Sequence, residues 1–206
     1  MPLNKQSGNM YADITHTWNP IRGACPHRCG YCYVEDLKKN PVLAKKYGGE
    51  PELVSKELET DLGQGNFIFV CNMSDLFADG VDTSIITAVI AHANEYPKNR
   101  YLWQTKNPER IIDLMDSGIQ FPVESVFCTT IESNRVYEDT EAPTPWERAV
   151  QLGKVAMRGH KTAMTIEPIM KFDLVEYDND NEFGMKEIIC QIVPDWIWIG
   201  ADSKKC

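Results

Sequence analysis

Six short runs of apolar, β-branched or aromatic residues recur along the chain, at 14–18, 67–71, 100–104, 125–130, 162–166 and 196–199, and stretches of helical period separate them. Continuous apolar runs of this length suit parallel strands buried on both faces. The helical stretches fall at 34–46 with 51–62, then 83–96, 108–117, 145–158 and 184–192. Asn107 before Pro108 and Thr144 before Pro145 each set an N-cap acceptor beside a proline of the first helical turn. Ile85, Ile86, Val89, Ile90 and Ala93 make one apolar helix face, and Gly118 and Gly159 stand where helix ends need a left-handed residue. Alternating strands and helices imply right-handed βα units and a parallel sheet. A closed eight-stranded barrel takes roughly 250 residues, whereas 206 residues spread over six units leave about 34 for each. The expected fold is therefore α/β, a partial (β/α)6 TIM-like barrel spanning 1–206 as a single domain. An open doubly wound sheet is the alternative, since period does not order strands.

The composition, 43% hydrophobic and 25% charged, excludes a disordered or fibrous chain. No apolar run approaches the roughly 18 residues of a membrane span, and the first sixteen residues hold no apolar signal region. A cytoplasmic protein follows, with its seven cysteines reduced, metal-bound or reactive. The net charge of −9 argues against a surface that is all nucleic-acid platform. Residues 1–46 nevertheless carry seven Lys/Arg against three Asp/Glu, a local +4 that also reads as ordinary surface charge.

The strongest chemical signal is Cys25, Cys29 and Cys32, a C-x3-C-x2-C spacing just after the first strand. Three thiols within eight residues cannot pair among themselves without straining the loop, but they can wrap one face of a metal centre. Zinc sites want four ligands, usually in two separated pairs. Three thiolates suit a 4Fe-4S cluster better, leaving one iron for substrate or cofactor. A zinc knuckle completed by His27 or a distant cysteine, or chance clustering, are the alternatives.

With Tyr31 before the last cysteine, this motif resembles that of the radical SAM superfamily. Thr17-Trp18-Asn19-Pro20, Asn72-Met73-Ser74-Asp75-Leu76-Phe77, Gln104 to Arg110, Thr165-Ile166-Glu167-Pro168 and Asp195 to Gly200 make the chain similar to a phage and bacterial group related to spore photoproduct lyases. The resemblance implies a cluster held by Cys25, Cys29 and Cys32, and S-adenosylmethionine chelating its fourth iron. It implies reductive cleavage of the sulfonium to a 5'-deoxyadenosyl radical that abstracts a substrate hydrogen, fed by a flavodoxin- or ferredoxin-type electron donor. Ser74 and Asp75 would meet the cofactor's amino group, although the glycine-glycine-glutamate form of that motif is lacking. Glu132, Asn134 and Arg135 would meet its ribose or carboxylate, and Tyr31 its adenine.

Ligands of parallel α/β folds sit at the carboxyl ends of the strands, and there the chain is consistently polar, from Ser74 and Asp75 through Lys106, Thr130, Glu132 and Glu167 to Asp202. Each also has a plain reading: Asp75 as a helix N-cap, Glu132, Asn134 and Arg135 as a solvated loop, Glu167 as a strand-end acid rather than a pocket wall. Lys106, with Gln104, could face an anionic substrate group, a stray surface lysine being the commoner outcome. Cys71 and Cys128 near strand ends read first as small buried hydrophobes, and either could return a hydrogen atom to a product radical. Cys190 reads as helix packing, Cys206 as an exposed terminal thiol, and Trp196 and Trp198 as core. Substrates fall into two classes, a nucleobase or nucleoside such as a modified thymine or amino-acid adduct in phage DNA, or a small metabolite. A non-catalytic iron-sulfur or zinc module is the third reading. The chain ends six residues after Gly200, which predicts an open barrel edge covered by a second copy or a large substrate.

Overall fold

The structure, a computed structural model, describes residues 3–6, 11–173 and 184–200. In chain order its elements are β1 (Asn4–Lys5), β2 (His16–Trp18), β3 (Ile21–Arg22), α1 (Tyr33–Leu37), α2 (Pro41–Lys46), β4 (Glu52–Leu53), a 3-10 turn at Ser55–Glu59, and β5 (Phe67–Val70). There follow α3 (Thr83–Asn94), β6 (Arg100–Thr105), α4 (Pro108–Asp116), β7 (Ser125–Thr130), α5 (Pro145–Met157), β8 (Lys161–Ile166), α6 (Met185–Ile192) and β9 (Trp196–Ile199).

Seven strands form one sheet in the order β1-β2-β5-β6-β7-β8-β9, with β1 antiparallel at the edge and every later pair parallel. The six parallel strands thus lie side by side in chain order without reversal. A doubly wound sheet reverses at a switch point; winding in one direction is the barrel's topology, and it collects α3 to α6 on one face. That face carries Ile68, Val70, Tyr101, Trp103, Phe127 and Met164, packed with Ile86, Val89, Ile90, Ile111, Leu152, Val155, Ile188 and Ile192 from the helices. The opposite, inner face carries Phe67, Leu102, Val126, Cys128 and Ala163, and Tyr11 and Ile14 fold in from the N-terminal segment to cover it. Strands buried on both faces are what the continuous apolar runs anticipated; all six residues of β7 are buried.

Local chemistry explains the boundaries. Thr144 makes a full capping box with Glu147 at the start of α5, and Gly118 and Gly159 take φ of +89° and +83° just beyond α4 and α5. Asn107 departs from expectation: its side chain donates to Asp79 Oδ1 at 3.1 Å, and no side-chain cap serves α4. The helices expected over 34–46 and 51–62 give way to two short helices in the first stretch and to β4 and the 3-10 turn in the second. Pro41 supplies no N–H to continue α1, Asn40 restarts the chain by accepting from Val42 N–H at 2.9 Å, and Glu52–Leu53 pairs with Ile21–Arg22 instead. Cys190 is exposed rather than packed, because the buried residues of α6 are Ile188 and Ile192 and the thiol lies two positions off their face. Trp196 is 37% exposed and Ile199 66%, so β9 is an open edge; only Trp198 packs inward, edge-on to Tyr11 at 5.0 Å. The two-residue β1, too short and polar to show a pattern, had no sequence signal. Asp202 and Cys206 lie outside the described residues. No helix among those described is long and apolar enough to cross a membrane.

Candidate active site

A cleft with a cavity volume of about 170 Å³ lies at the carboxyl ends of the strands, where ligands of parallel α/β folds sit. One wall is the loop after β3 that carries Cys25, His27, Cys29, Tyr31 and Cys32. The facing wall comes from the ends of β5, β6, β7 and β8, with Cys71 to Asp75, Gln104 to Lys106, Thr130, Glu167 and Pro168. Residues singled out in the sequence therefore share one cavity, among them Cys25, Cys29, Cys32, Tyr31, Cys71, Ser74, Asp75, Lys106 and Glu167.

Two buried polar clusters hold the cysteine loop against the strand ends. In the first, Asp75 accepts from His27 Nε2 at 2.8 Å, Thr105 Oγ1 at 3.0 Å, Lys106 N–H at 2.8 Å and Phe77 N–H at 2.9 Å. Burial alone would raise its carboxyl; the His27 ring and the donated bonds hold it below the usual range instead. Its oxygens are thus engaged by four protein donors that join three segments. In the second, Glu132 receives Arg148 Nη1 at 2.8 Å, Arg148 Nη2 at 3.0 Å and Tyr31 OH at 2.5 Å. Burial acts against ionisation here too, but the charges of Lys106 and Arg148 overcome it and bring Glu132 to about 2. Lys106 Nζ donates to Tyr31 OH, stands 3.7 Å from Glu132 Oε2 and reaches Cys29 Sγ at 3.5 Å. Tyr31 is pushed up by burial and by Glu132, so it stays a neutral phenol.

The segment after β7 returns over the cysteine loop: Gly30 N–H donates to Asp139 O, Glu141 N–H to His27 O, and Thr140 Oγ1 lies 3.2 Å from Cys29 Sγ. The barrel floor is polar at the level of the cleft, where Tyr11 OH donates to Gln104 Oε1 at 2.7 Å and Gln104 Nε2 donates to Thr130 Oγ1 at 3.0 Å. Ser74 Oγ is buried with no protein partner. Glu167, raised by burial, lines the cleft at the end of β8.

Other candidates lie apart from the cavity. Cys128 is fully buried on the inner face of β7, within the apolar cluster beneath the cleft. Glu132 is buried behind Tyr31. Asn134 donates to Asp173 O at 3.0 Å and Arg135 pairs with the Asp173 carboxylate, both outside the cleft lining. Sequence reasoning missed Arg148, although an arginine beside Ala149 and Leu152 on the apolar side of α5 was a readable signal of a buried partner. It also missed Tyr11, whose role needs the N-terminal segment folded under the sheet.

The three loop cysteines are free thiols on one wall of one cleft. Burial pushes Cys25 up to about 12 and raises Cys32, so both are protonated until a cation displaces the proton. Among the described residues no three His, Cys, Asp or Glu side chains already close on one point. The fit to a thiolate-held cluster rests on the donor set, three sulfurs in a C-x3-C-x2-C loop, and on their common cleft, and on both counts the residues suit it.

A family model described as a protein of unknown function, DUF5131, matches residues 10–203. The chain belongs to this family. Among curated proteins, none matches it. Solved structures with a similar fold include a spore photoproduct lyase variant with bound AdoMet and dinucleoside spore photoproduct, at 16% identity and a TM-score of 0.56, covering 84% of this chain and 52% of that one. A spore photoproduct lyase complexed with the dinucleoside spore photoproduct gives 18% identity and a TM-score of 0.57, over 82% of this chain and 49% of that one. This member of the family has the fold of those structures, a mostly parallel α/β partial barrel, and spans about half their length.

Proposed function

We propose that this DUF5131 protein is a radical SAM enzyme acting on a nucleobase or nucleoside in a modification or repair reaction. The observation that carries the reading is the placement of the C-x3-C-x2-C loop: Cys25, Cys29 and Cys32 face a cleft at the carboxyl ends of a one-way parallel barrel. The fold is similar to that of a spore photoproduct lyase with bound AdoMet. Cys25, Cys29 and Cys32 would hold a 4Fe-4S cluster, which with S-adenosylmethionine supplies an electron and a carbon radical able to take hydrogen from substrate.

The chain's own residues then bind, orient and exclude water. The Asp75 and Glu132 clusters hold the loop at a set height above the strand ends. Ser74 Oγ, buried at the cleft without a protein partner, would accept from the cofactor's ammonium group. Phe69, Tyr33, Val34 and Met73 give the cavity apolar walls. Lys106 and the exposed Arg28, Lys45 and Lys46 on the cysteine-loop side supply cations for a phosphate-bearing substrate. Cys71 lines the cleft and is the better placed of the two thiols to return a hydrogen; Cys128 lies below the floor. A flavodoxin- or ferredoxin-type donor would supply electrons, and a second copy of the chain would cover β9.

Anaerobic reconstitution with iron and sulfide tests the reading. We expect visible absorbance of a 4Fe-4S cluster and release of 5'-deoxyadenosine on adding dithionite and S-adenosylmethionine. Cys29→Ala is expected to lose both; a variant that keeps a full cluster and the cleavage overturns the ligand assignment. Deuterated thymidine-type nucleosides and oligonucleotides, offered in turn, should place label in 5'-deoxyadenosine, whereas transfer only from small non-nucleoside metabolites overturns the substrate class.

A further inference from the structure

Behind the cysteine loop runs a chain of buried charge that cofactor binding alone does not require. Arg148 and Glu132 have side chains each 1% exposed and joined by two hydrogen bonds. Glu132 accepts from Tyr31 OH, Tyr31 accepts from Lys106 Nζ, and the ammonium also lies 4.2 Å from the Tyr31 ring centroid. The chain ends at Cys29, whose sulfur is 3.5 Å from Lys106 Nζ. Two positive charges and one negative leave a net +1. Arg148 sits against Glu132 on the side remote from the cleft, so the carboxylate is already neutralised and the charge left over is the one beside the sulfur. In the other buried pair, Asp75 with His27, the carboxylate is taken up by four protein donors, His27 Nε2, Thr105 Oγ1 and the N–H groups of Lys106 and Phe77. Lys106 itself is 14% exposed, so water screens it weakly.

An iron-sulfur centre gains negative charge on reduction, and its potential follows net charge and hydrogen bonds to its sulfurs. We propose that Lys106, held by Tyr31 and the Glu132–Arg148 pair, is a positioning residue that acts through the Cys29 sulfur to raise the reduction potential of the cluster. The proposal rests on the iron-sulfur reading above. It also gives the buried ion pair a reason to exist: without Arg148, Glu132 would cancel the ammonium, and without Glu132 the lysine would lose the anchor of its tyrosine.

The test is an anaerobic redox titration of the reconstituted protein, with dithionite as one-electron source and the electron paramagnetic resonance of the reduced cluster as readout. Wild type, Lys106→Gln and Lys106→Arg are compared, with iron and sulfide content measured for each. Lys106→Gln should hold a full cluster with a more negative midpoint, and Lys106→Arg should return towards wild type. A full cluster in Lys106→Gln with an unchanged midpoint overturns the inference and leaves the iron-sulfur reading standing. Failure of Lys106→Gln to hold a cluster that wild type holds also overturns it, since the lysine would then serve assembly. A wild-type protein that takes up no cluster sinks the underlying reading instead.

Discussion

At the scale of residues, the molecule spends most on charges it hides. Glu132 and Arg148 each face almost no water, and removing one partner of such a pair strands the other in a low-dielectric interior. Glu132→Gln should therefore cost about 3–5 kcal/mol at neutral pH in urea unfolding. Replacing both residues by apolar ones of similar volume should cost far less than the sum of the single changes, and a double-mutant cycle measures the difference. The carboxyl moves from an ordinary value near 4.5 when unfolded to about 2 when folded. Its contribution is thus complete above pH 4.5 and is lost as pH falls from there towards 2. Unfolding followed across that window should show wild-type stability dropping on acidification, with a shallower drop in Glu132→Gln. Part of this scale was legible: polar residues after each strand had to collect at one end of a parallel sheet, and the three loop cysteines line the cleft there. The partners were not legible. Glu132 looked like a loop acid because the arginine that neutralises it lies 16 residues away on a helix whose face is otherwise apolar.

Elements meet through a few close approaches. Gly153 in α5 lies where a Cβ would come within 2.4 Å of the Gln191 carbonyl oxygen, on the backbone of α6. Alanine ordinarily favours a helix over glycine by about 1 kcal/mol, yet here it must push two helices apart. We expect Gly153→Ala to lower stability by about 1–3 kcal/mol, the range of overpacking, visible as a lower Tm. Thr144→Ala removes the capping box at the start of α5 and should cost about 1 kcal/mol by the same measurement. Strands and long helices were readable from period and caps to within a residue or two, because burial on one face leaves a pattern. The stretches 34–46 and 51–62 were misread as continuous helices for the converse reason. Their short elements bury few residues, Val34 and Tyr47 among them, so Asn40-Pro41 and the pairing of Glu52–Leu53 with Ile21–Arg22 outweigh helical period.

At the scale of the whole molecule, unreversed strand order leaves a polar edge at β1 and, among the described residues, an apolar one at β9, where Trp196, Ile197 and Ile199 stand partly in water. Apolar edge strands seek partners. Sedimentation velocity over rising concentration should show self-association, and Ile199→Lys should reduce it without changing Tm. Strand order could not be read from the sequence, since period is silent on which strands are neighbours, whereas the helices' single apolar faces already demanded one covered side. The inner face has a further consequence. Tyr11 and Ile14 cover it from below, and Tyr11 is bonded to Gln104 in the cleft wall. Among the described residues this backs the cleft from beneath, so an occupant seated against Gln104 leans on the N-terminal segment as well as on the sheet.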